Sequence, residues 1–192
     1  MRLFVAIYPP RPAVDDLTAE VARLRVGVAS AGGTNVRLAD PAHAHLTLAF
    51  LGDVEECRLV DVESTLGLAA ETFRNGRDSA PLLRLGGGGS FGRGRFTVLW
   101  VDVRGDVDAL ATLARLIRFG LRRAKLPHDD KPFRAHLTIA RPGDRIDRAD
   151  ILADREALHD YTGPEWPAEK LTLVRSHPGP HPTYDHLATW PL

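Results

Sequence analysis

Two short segments of the same pattern carry the residues best suited to acid–base chemistry. The segment HLTL begins at His45 and the segment HLTI begins at His136, and each histidine is followed two positions later by a threonine, Thr47 or Thr138. On a β-strand, side chains two apart share one face, so each motif presents an imidazole beside a hydroxyl and anchors its other face with apolar residues. Because imidazole titrates near neutral pH, one histidine can act as a general base and the other as a general acid.

If the two motif strands face one another, the reaction that these groups favour is in-line displacement at phosphorus. One imidazole takes a proton from the attacking oxygen, the other protonates the leaving oxygen, and the two hydroxyls hold nonbridging oxygens. Arg134 and Arg141 flank the second motif and could add guanidinium forks to the same oxygens. A single H-x-T-x segment is more typical of an ordinary strand, so it is the paired occurrence that predicts a site.

The elements that must position these groups occur in a repeated order. Halves at about 1–92 and 93–192 both follow the order strand, helix, strand, helix, strand, which indicates a diverged duplication. Strands alternating with helices predict an α/β or α+β chain whose sheets are covered by helices on one side. The predicted strands are 3–7, 45–52, 82–85, 97–103, 136–141, 171–175 and 186–190, and the predicted helices are 12–24, 55–73, 107–126 and 150–158.

Three local expectations concern residues near the motifs. Four consecutive glycines at 86–89 predict a mobile loop over 86–95. Simple alternation places Phe50 on the face opposite His45, so only a bulge or a strand end would turn it toward the site; Phe133 and Tyr184 are other candidates for stacking on a base. The histidines of the tail segment SHPGPHPTYDH predict a solvated loop rather than a metal site.

Composition excludes several classes of protein. The 192 residues include 25 basic and 25 acidic side chains, so the net charge is zero and the chain lacks the footprint of a protein that coats duplex nucleic acid. The longest apolar runs are far shorter than a membrane helix, which predicts no membrane segment. The single cysteine, Cys57, cannot form an internal disulfide, and a cytoplasmic location is expected.

Beyond the two motifs, several segments resemble a known family in the order of that family. They are MRLFVAI at 1–7, HLTLAFLG at 45–52, VLWVDV at 98–103, KPFRAHLTIAR at 131–141, LTLVRS at 171–176, Gly179, Pro180, Tyr184 and the final WPL. On these residues the whole chain resembles the 2H phosphoesterase superfamily, and within it the bacterial and archaeal RNA 2′,3′-cyclic phosphodiesterases, formerly called 2′-5′ RNA ligases.

The resemblance implies an α+β fold of one bilobal domain, residues 1–192, in which two antiparallel sheets face a central cleft and helices cover the outer faces. It implies hydrolysis of RNA 2′,3′-cyclic phosphate ends, or of nucleoside 2′,3′-cyclic phosphates, to a 2′-phosphomonoester without metal or cofactor. His45 would donate a proton to the 3′ leaving oxygen, and His136 would accept one from water. Thr47, Thr138 and Arg141 would contact the phosphate. We expect a monomer and infer no protein partner.

Two alternatives remain open from the sequence. One is a phosphodiesterase or ligase acting on 2′-5′ linkages or on another small cyclic phosphate. The other is a module that binds RNA ends without catalysis, although a binder has no need of a matched acid and base. The near symmetry of the motifs also means that the residues alone do not decide which histidine is the acid.

Overall fold

The strands form two antiparallel sheets in the computed structural model, which describes residues 1–179 and 182–192. Pro180 and His181 lie outside the described residues. The described strands are β1 (Arg2–Ile7), β2 (Arg37–Leu38), β3 (Leu46–Asp53), β4 (Leu82–Phe91), β5 (Val98–Gly105), β6 (His136–Arg141), β7 (Trp166–Pro167), β8 (Lys170–His177) and β9 (Thr183–Pro191). The described α-helices are α1 (Arg11–Arg23), α2 (Arg25–Ala31), α3 (Leu59–Asn75), α4 (Val107–Arg123) and α5 (Arg148–Asp160).

The first sheet has the order β3-β1-β8-β9 and the second has the order β2-β6-β5-β4-β7. Each strand pairing in both sheets is antiparallel. The α+β class and the two antiparallel sheets are therefore confirmed.

The two sheets exchange strands between the halves of the chain. The opening strand and the motif strand of the first half, β1 and β3, are joined by β8 from the second half. The corresponding strands of the second half, β5 and β6, are joined by β4 from the first half. The orders β3-β1-β8 and β6-β5-β4 are thus equivalent, but neither sheet is built from one half alone. The duplication itself stays a prediction.

The apolar run of β1 is buried on both faces. Leu3, Val5 and Ile7 belong to the main core, where helices cover the sheets. Phe4 and Ala6 point the other way into a second, smaller cluster. This second cluster forms the floor on which the first motif lies, which explains why the run is continuously apolar.

The helices pack on the two sheets in separate groups. Helices α3 and α4 contact each other and the first sheet through β9 and β3, whereas α1, α2 and α5 contact strands of the second sheet. Helix α4 buries Leu110, Leu113, Ile117 and Leu121, at the spacing of three and four that one apolar helical face requires. None of the helices in the described part of the chain is long and apolar enough to span a membrane.

Helix α2 and the short strands β2 and β7 are absent from the sequence predictions. Leu24 is extended, with ψ of 159°, and this separates α2 from α1. The first turn of α2 is closed by a residue far away in sequence: the buried Asp154 of α5 accepts hydrogen bonds from the amides of Arg25 (2.6 Å) and Val26 (3.1 Å). Because the residue that caps α2 is distant in sequence, the local sequence does not predict this helix.

Two predicted helix bounds differ most from the structure. Helix α4 ends at Arg123 rather than at 126, and Lys125 then adopts a φ of 52°, which a helix does not continue. Helix α3 begins at Leu59, after a short 3₁₀ turn (Glu56–Arg58), rather than at 55.

The prediction of a mobile loop over 86–95 is wrong for residues 86–91, because strand β4 runs through all four glycines to Phe91. A Cβ on Gly88 would lie 2.7 Å from the Cβ of Leu158, and a Cβ on Gly89 would lie 2.1 Å from the ring of Trp100. Gly87 has a φ of +91°, at a register shift that marks a bulge. Glycine is thus what allows α5 and Trp100 to lie directly against the strand.

Candidate active site

The two motif strands meet although they belong to different sheets, because β3 and β6 contact each other. His45 directly precedes β3, and His136 is the first residue of β6. Both motifs show the alternation expected from the sequence: the histidine and threonine are partly exposed, and the apolar residues between and after them are buried. Each motif therefore presents one imidazole and one hydroxyl on a shared face.

Both imidazoles are oriented by the same kind of hydrogen bond. Nδ1 of His45 lies 2.6 Å from the carbonyl oxygen of His43, and Nδ1 of His136 lies 2.8 Å from the carbonyl oxygen of Arg134. A carbonyl oxygen only accepts, so we assign the hydrogen to Nδ1 in each ring. Nε2 is left in both rings as the nitrogen that can take up or release a proton.

Aromatic rings fix the planes of both imidazoles. The ring centroid of His45 lies 4.9 Å from that of Phe4 and 5.7 Å from that of Tyr184. The ring of His136 meets Phe91 edge-on at 5.0 Å and lies 5.8 Å from Trp100. Such packing restricts ring rotation, which keeps Nε2 in one direction.

The two imidazoles also interact electrostatically. Burial lowers the pKa of His45 below 6.5, and the charges of His43, His136 and His186 lower it further, while the hydrogen bond to the His43 carbonyl acts in the opposite sense. The two motif histidines are therefore close enough for the charge of one to act on the other. His45 is mainly neutral at pH 7 in the free protein.

The structure places the two predicted arginines differently. Nη2 of Arg134 donates to Oδ2 of Asp102 at 3.3 Å, and its guanidinium carbon lies 4.5 Å from the ring centroid of Trp100. Arg134 therefore lies against Trp100, whose ring also packs near His136. Arg141 is the last residue of β6 and is exposed; within the described residues its guanidinium makes no hydrogen bond or ion pair.

A bulge in β3 corrects the expectation for Phe50. The pairing with β1 skips one residue between Ala6 and Val5, so Leu48 is an extra residue on β3. An extra residue reverses the alternation beyond it, and Phe50 consequently returns to the face of the motif histidine. Half of its surface is exposed, and its ring lies 6.1 Å from that of Phe4.

Strand β6 has the same irregularity at the equivalent place. Its pairing with β5 skips one residue between Trp100 and Leu99, so Ile139 is the extra residue. Arg141 thereby returns to the face of Thr138. The two bulges bring one aromatic and one cationic side chain to corresponding ends of the cleft.

Sequence reasoning missed two neighbours of His45. His186 lies on β9 rather than in a solvated loop, and its ring centroid is 4.6 Å from that of Tyr8, which lies 5.8 Å from His45. Burial raises the pKa of Tyr8 to about 12, so its hydroxyl stays protonated. The alternation of β1 after Phe4 could have placed Tyr8 on this face. Phe133, considered for base stacking, packs against the main core instead.

Comparison with known proteins matches this arrangement. The sequence matches the 2′-5′ RNA ligase superfamily over residues 10–180. It is 30% identical over 203 aligned positions to the RNA 2′,3′-cyclic phosphodiesterase of Thermus thermophilus, an alignment covering 100% of this chain and 90% of that protein. It is 34% identical over 146 positions to the RNA 2′,3′-cyclic phosphodiesterase of Archaeoglobus fulgidus, covering 73% of this chain and 72% of that one.

Solved structures agree with the sequence comparison. The crystal structure of the Thermus thermophilus protein TT0787 superposes with a TM-score of 0.70 at 30% identity, covering 100% of this chain and 98% of that chain. On the matched sequence, the fold and the paired motifs together, this chain belongs to the 2′-5′ RNA ligase superfamily of 2H phosphoesterases.

Proposed function

We propose that the protein hydrolyses RNA 2′,3′-cyclic phosphate ends to 2′-phosphomonoesters, without metal, by paired general acid and base catalysis. The observation that carries this proposal is the pair of equivalently held imidazoles, each with Nδ1 engaged by a backbone carbonyl and Nε2 free. The names of the relatives from Thermus thermophilus and Archaeoglobus fulgidus support the same substrate.

In the proposed step, Nε2 of His136 takes a proton from water while the water oxygen forms a bond to phosphorus. The bond from phosphorus to O3′ breaks in line, and Nε2 of His45 gives its proton to O3′. The hydroxyls of Thr47 and Thr138 donate to nonbridging oxygens, and the guanidinium of Arg141 balances their charge. The product is a 2′-phosphomonoester with a free 3′-hydroxyl, and a proton moves back from His136 to His45 through solvent.

As the proton donor, His45 has to be protonated when the substrate is bound. His45 is mainly neutral in the free protein because burial and neighbouring histidines lower its pKa. A bound phosphodiester anion raises the pKa of an adjacent imidazole. The proposal therefore requires substrate binding to raise the pKa of His45.

The test is product analysis by phosphorus NMR with a nucleoside 2′,3′-cyclic phosphate. We expect His45→Ala and His136→Ala each to lower kcat by about 10²–10⁴-fold, since each removes one proton-transfer group, and we expect EDTA to have no effect. His159→Ala removes an exposed histidine of α5 and is the matched control. Full activity in His136→Ala would refute the proposal.

A substrate with sulfur in place of the bridging O3′ assigns the two roles. A thiolate leaves without protonation, so the activity of the variant that lacks the acid is restored with this substrate, whereas the variant that lacks the base stays impaired. We expect restoration in His45→Ala. Restoration in His136→Ala instead would reverse the assignment while leaving the reaction class intact.

The alternatives have different signatures in the same assays. Turnover of 2′-5′ oligonucleotides that exceeds turnover of cyclic phosphates would favour the 2′-5′ linkage as the substrate. Binding of a cyclic phosphate without any product would favour a non-catalytic module.

A further inference from the structure

We propose that the hairpin tip between β4 and β5, residues 91–97 (FGRGRFT), binds the RNA strand that leads to the terminal cyclic phosphate. This inference rests on the proposed function and extends it, because it names a longer RNA end rather than a mononucleotide as the preferred substrate.

The tip starts at the wall of the catalytic cleft. Strands β4 and β5 pair as far as Phe91 and Val98, so residues 92–97 form the connection immediately beyond that pair. The ring of Phe91 lies 5.0 Å from His136 and 5.0 Å from Trp100. A strand of RNA that leaves the phosphate on this side therefore meets the tip next.

The backbone of the tip is a defined turn. The amide of Phe96 donates to the carbonyl of Arg93 at 3.2 Å, and the amide of Thr97 donates to the carbonyl of Gly94 at 3.0 Å. Gly92 has a φ of +72°, and a Cβ there would lie 2.3 Å from the carbonyl oxygen of Phe96. The turn thus holds Phe96 beside the start of the tip.

The side chains of the tip match the chemistry of single-stranded RNA. Phe96 is 68% exposed, and the guanidinium carbon of Arg95 lies 4.8 Å from its ring centroid. Arg93 is exposed, and within the part of the chain that the structure describes neither arginine pairs with a carboxylate. Bases stack on exposed aromatic rings, and arginines contact the phosphates between them.

One acidic group opposes this charge. Asp144 lies beside the backbone of the tip, since a Cβ on Gly94 would be 3.4 Å from its Oδ1. Its carboxylate repels an RNA phosphate at the same place, so Asp144→Asn is expected to strengthen binding of a longer RNA.

The experiment compares a uridine 2′,3′-cyclic phosphate with a trinucleotide that ends in the same group. The variant Arg93→Ala/Arg95→Ala/Phe96→Ala is expected to lower kcat/KM for the trinucleotide about tenfold or more. Its kcat/KM for the mononucleotide is expected to stay within about twofold of wild type, because the tip contacts only the nucleotides that precede the terminal one. Arg115, Phe119 and Arg123 form an exposed stripe of the same composition on α4, and their triple alanine variant is the matched control.

Fluorescence anisotropy of a 5′-labelled trinucleotide that ends in a 2′-phosphate, the product of the proposed reaction, reports binding at the subsite without turnover. We expect weaker binding in the tip variant and a smaller salt dependence, by about 0.7 in the logarithmic slope for each RNA phosphate that the variant no longer neutralises. The inference would be overturned if the tip variant lost activity equally on both substrates, or if its kcat/KM for the trinucleotide were unchanged. An equal effect in the α4 control variant would overturn it as well. If the wild type hydrolyses neither substrate, the proposed function fails, and anisotropy alone then decides the subsite.

Discussion

At the scale of single residues, the two motif histidines are alike in how they are held and different in what surrounds them. Both donate Nδ1–H to the carbonyl two residues earlier. His45, however, lies among His43, His186 and two tyrosines, whereas a salt-bridged Arg134 flanks the wall beside His136. The two motifs thus match in backbone geometry and differ in the charged and aromatic groups around their imidazoles.

The pKa of His45 can be measured by NMR titration of its imidazole carbons. We expect a value below 6.5 in the free protein and a higher value with 2′-AMP bound, since the bound phosphate favours the charged ring. His186→Gln removes an imidazole whose charge lowers the pKa of His45, so the variant is expected to raise that pKa. No change in this variant would show that His186 exerts no electrostatic effect on His45.

The same shift has a consequence for stability. Because the folded-state pKa of His45 lies below its unfolded value, the unfolded chain binds the proton more tightly. The stability contributed by neutral His45 is complete above about pH 6.5 and is lost as the pH falls toward the folded-state pKa.

At the scale of elements, the glycine-rich strand β4 forms one wall of the site. Gly89 faces the ring of Trp100, and that ring in turn contacts His136 and lies under the guanidinium of Arg134. The glycine-rich sequence predicts a flexible segment, but in the structure it is a closely packed strand. Because glycine has no side chain, the Trp100 ring can lie directly against the backbone.

Gly89→Ala tests this role. The added methyl group would lie 2.1 Å from the Trp100 ring, so we expect a loss of about 1–3 kcal/mol in the free energy of unfolding and a loss of activity through displacement of the tryptophan. Gly76→Ala, whose nearest contact would be 3.6 Å, is the control. Urea unfolding and cyclic phosphate hydrolysis measure both effects; unchanged activity would show that Trp100 does not position His136.

At the scale of the whole molecule, the exchange of strands makes the two sheets interdependent. The last strand of the first half, β4, completes the second sheet, and β8 completes the first. The cleft where the motifs meet is therefore built from the entire chain, with both halves contributing to each wall.

Separate fragments 1–92 and 93–192, divided at the hairpin tip, test this interdependence. We expect each alone to give a poorly dispersed NMR spectrum, because each sheet lacks a strand and exposes apolar surface, and we expect the mixture to regain dispersion and some activity. Cooperative unfolding of fragment 1–92 alone would contradict this account.

The sequence by itself determined the candidate acid–base residues and their shared faces, because alternation along a strand and the titration range of imidazole are local properties. Alternating strands and helices also indicated an α/β or α+β chain, and the family resemblance implied α+β. Only the tertiary structure decided that β4 is a strand, that two bulges turn Phe50 and Arg141 to the site, that Asp154 closes α2, and that His186 neighbours His45. Each of these depends on contacts between residues far apart in sequence, which no local pattern encodes.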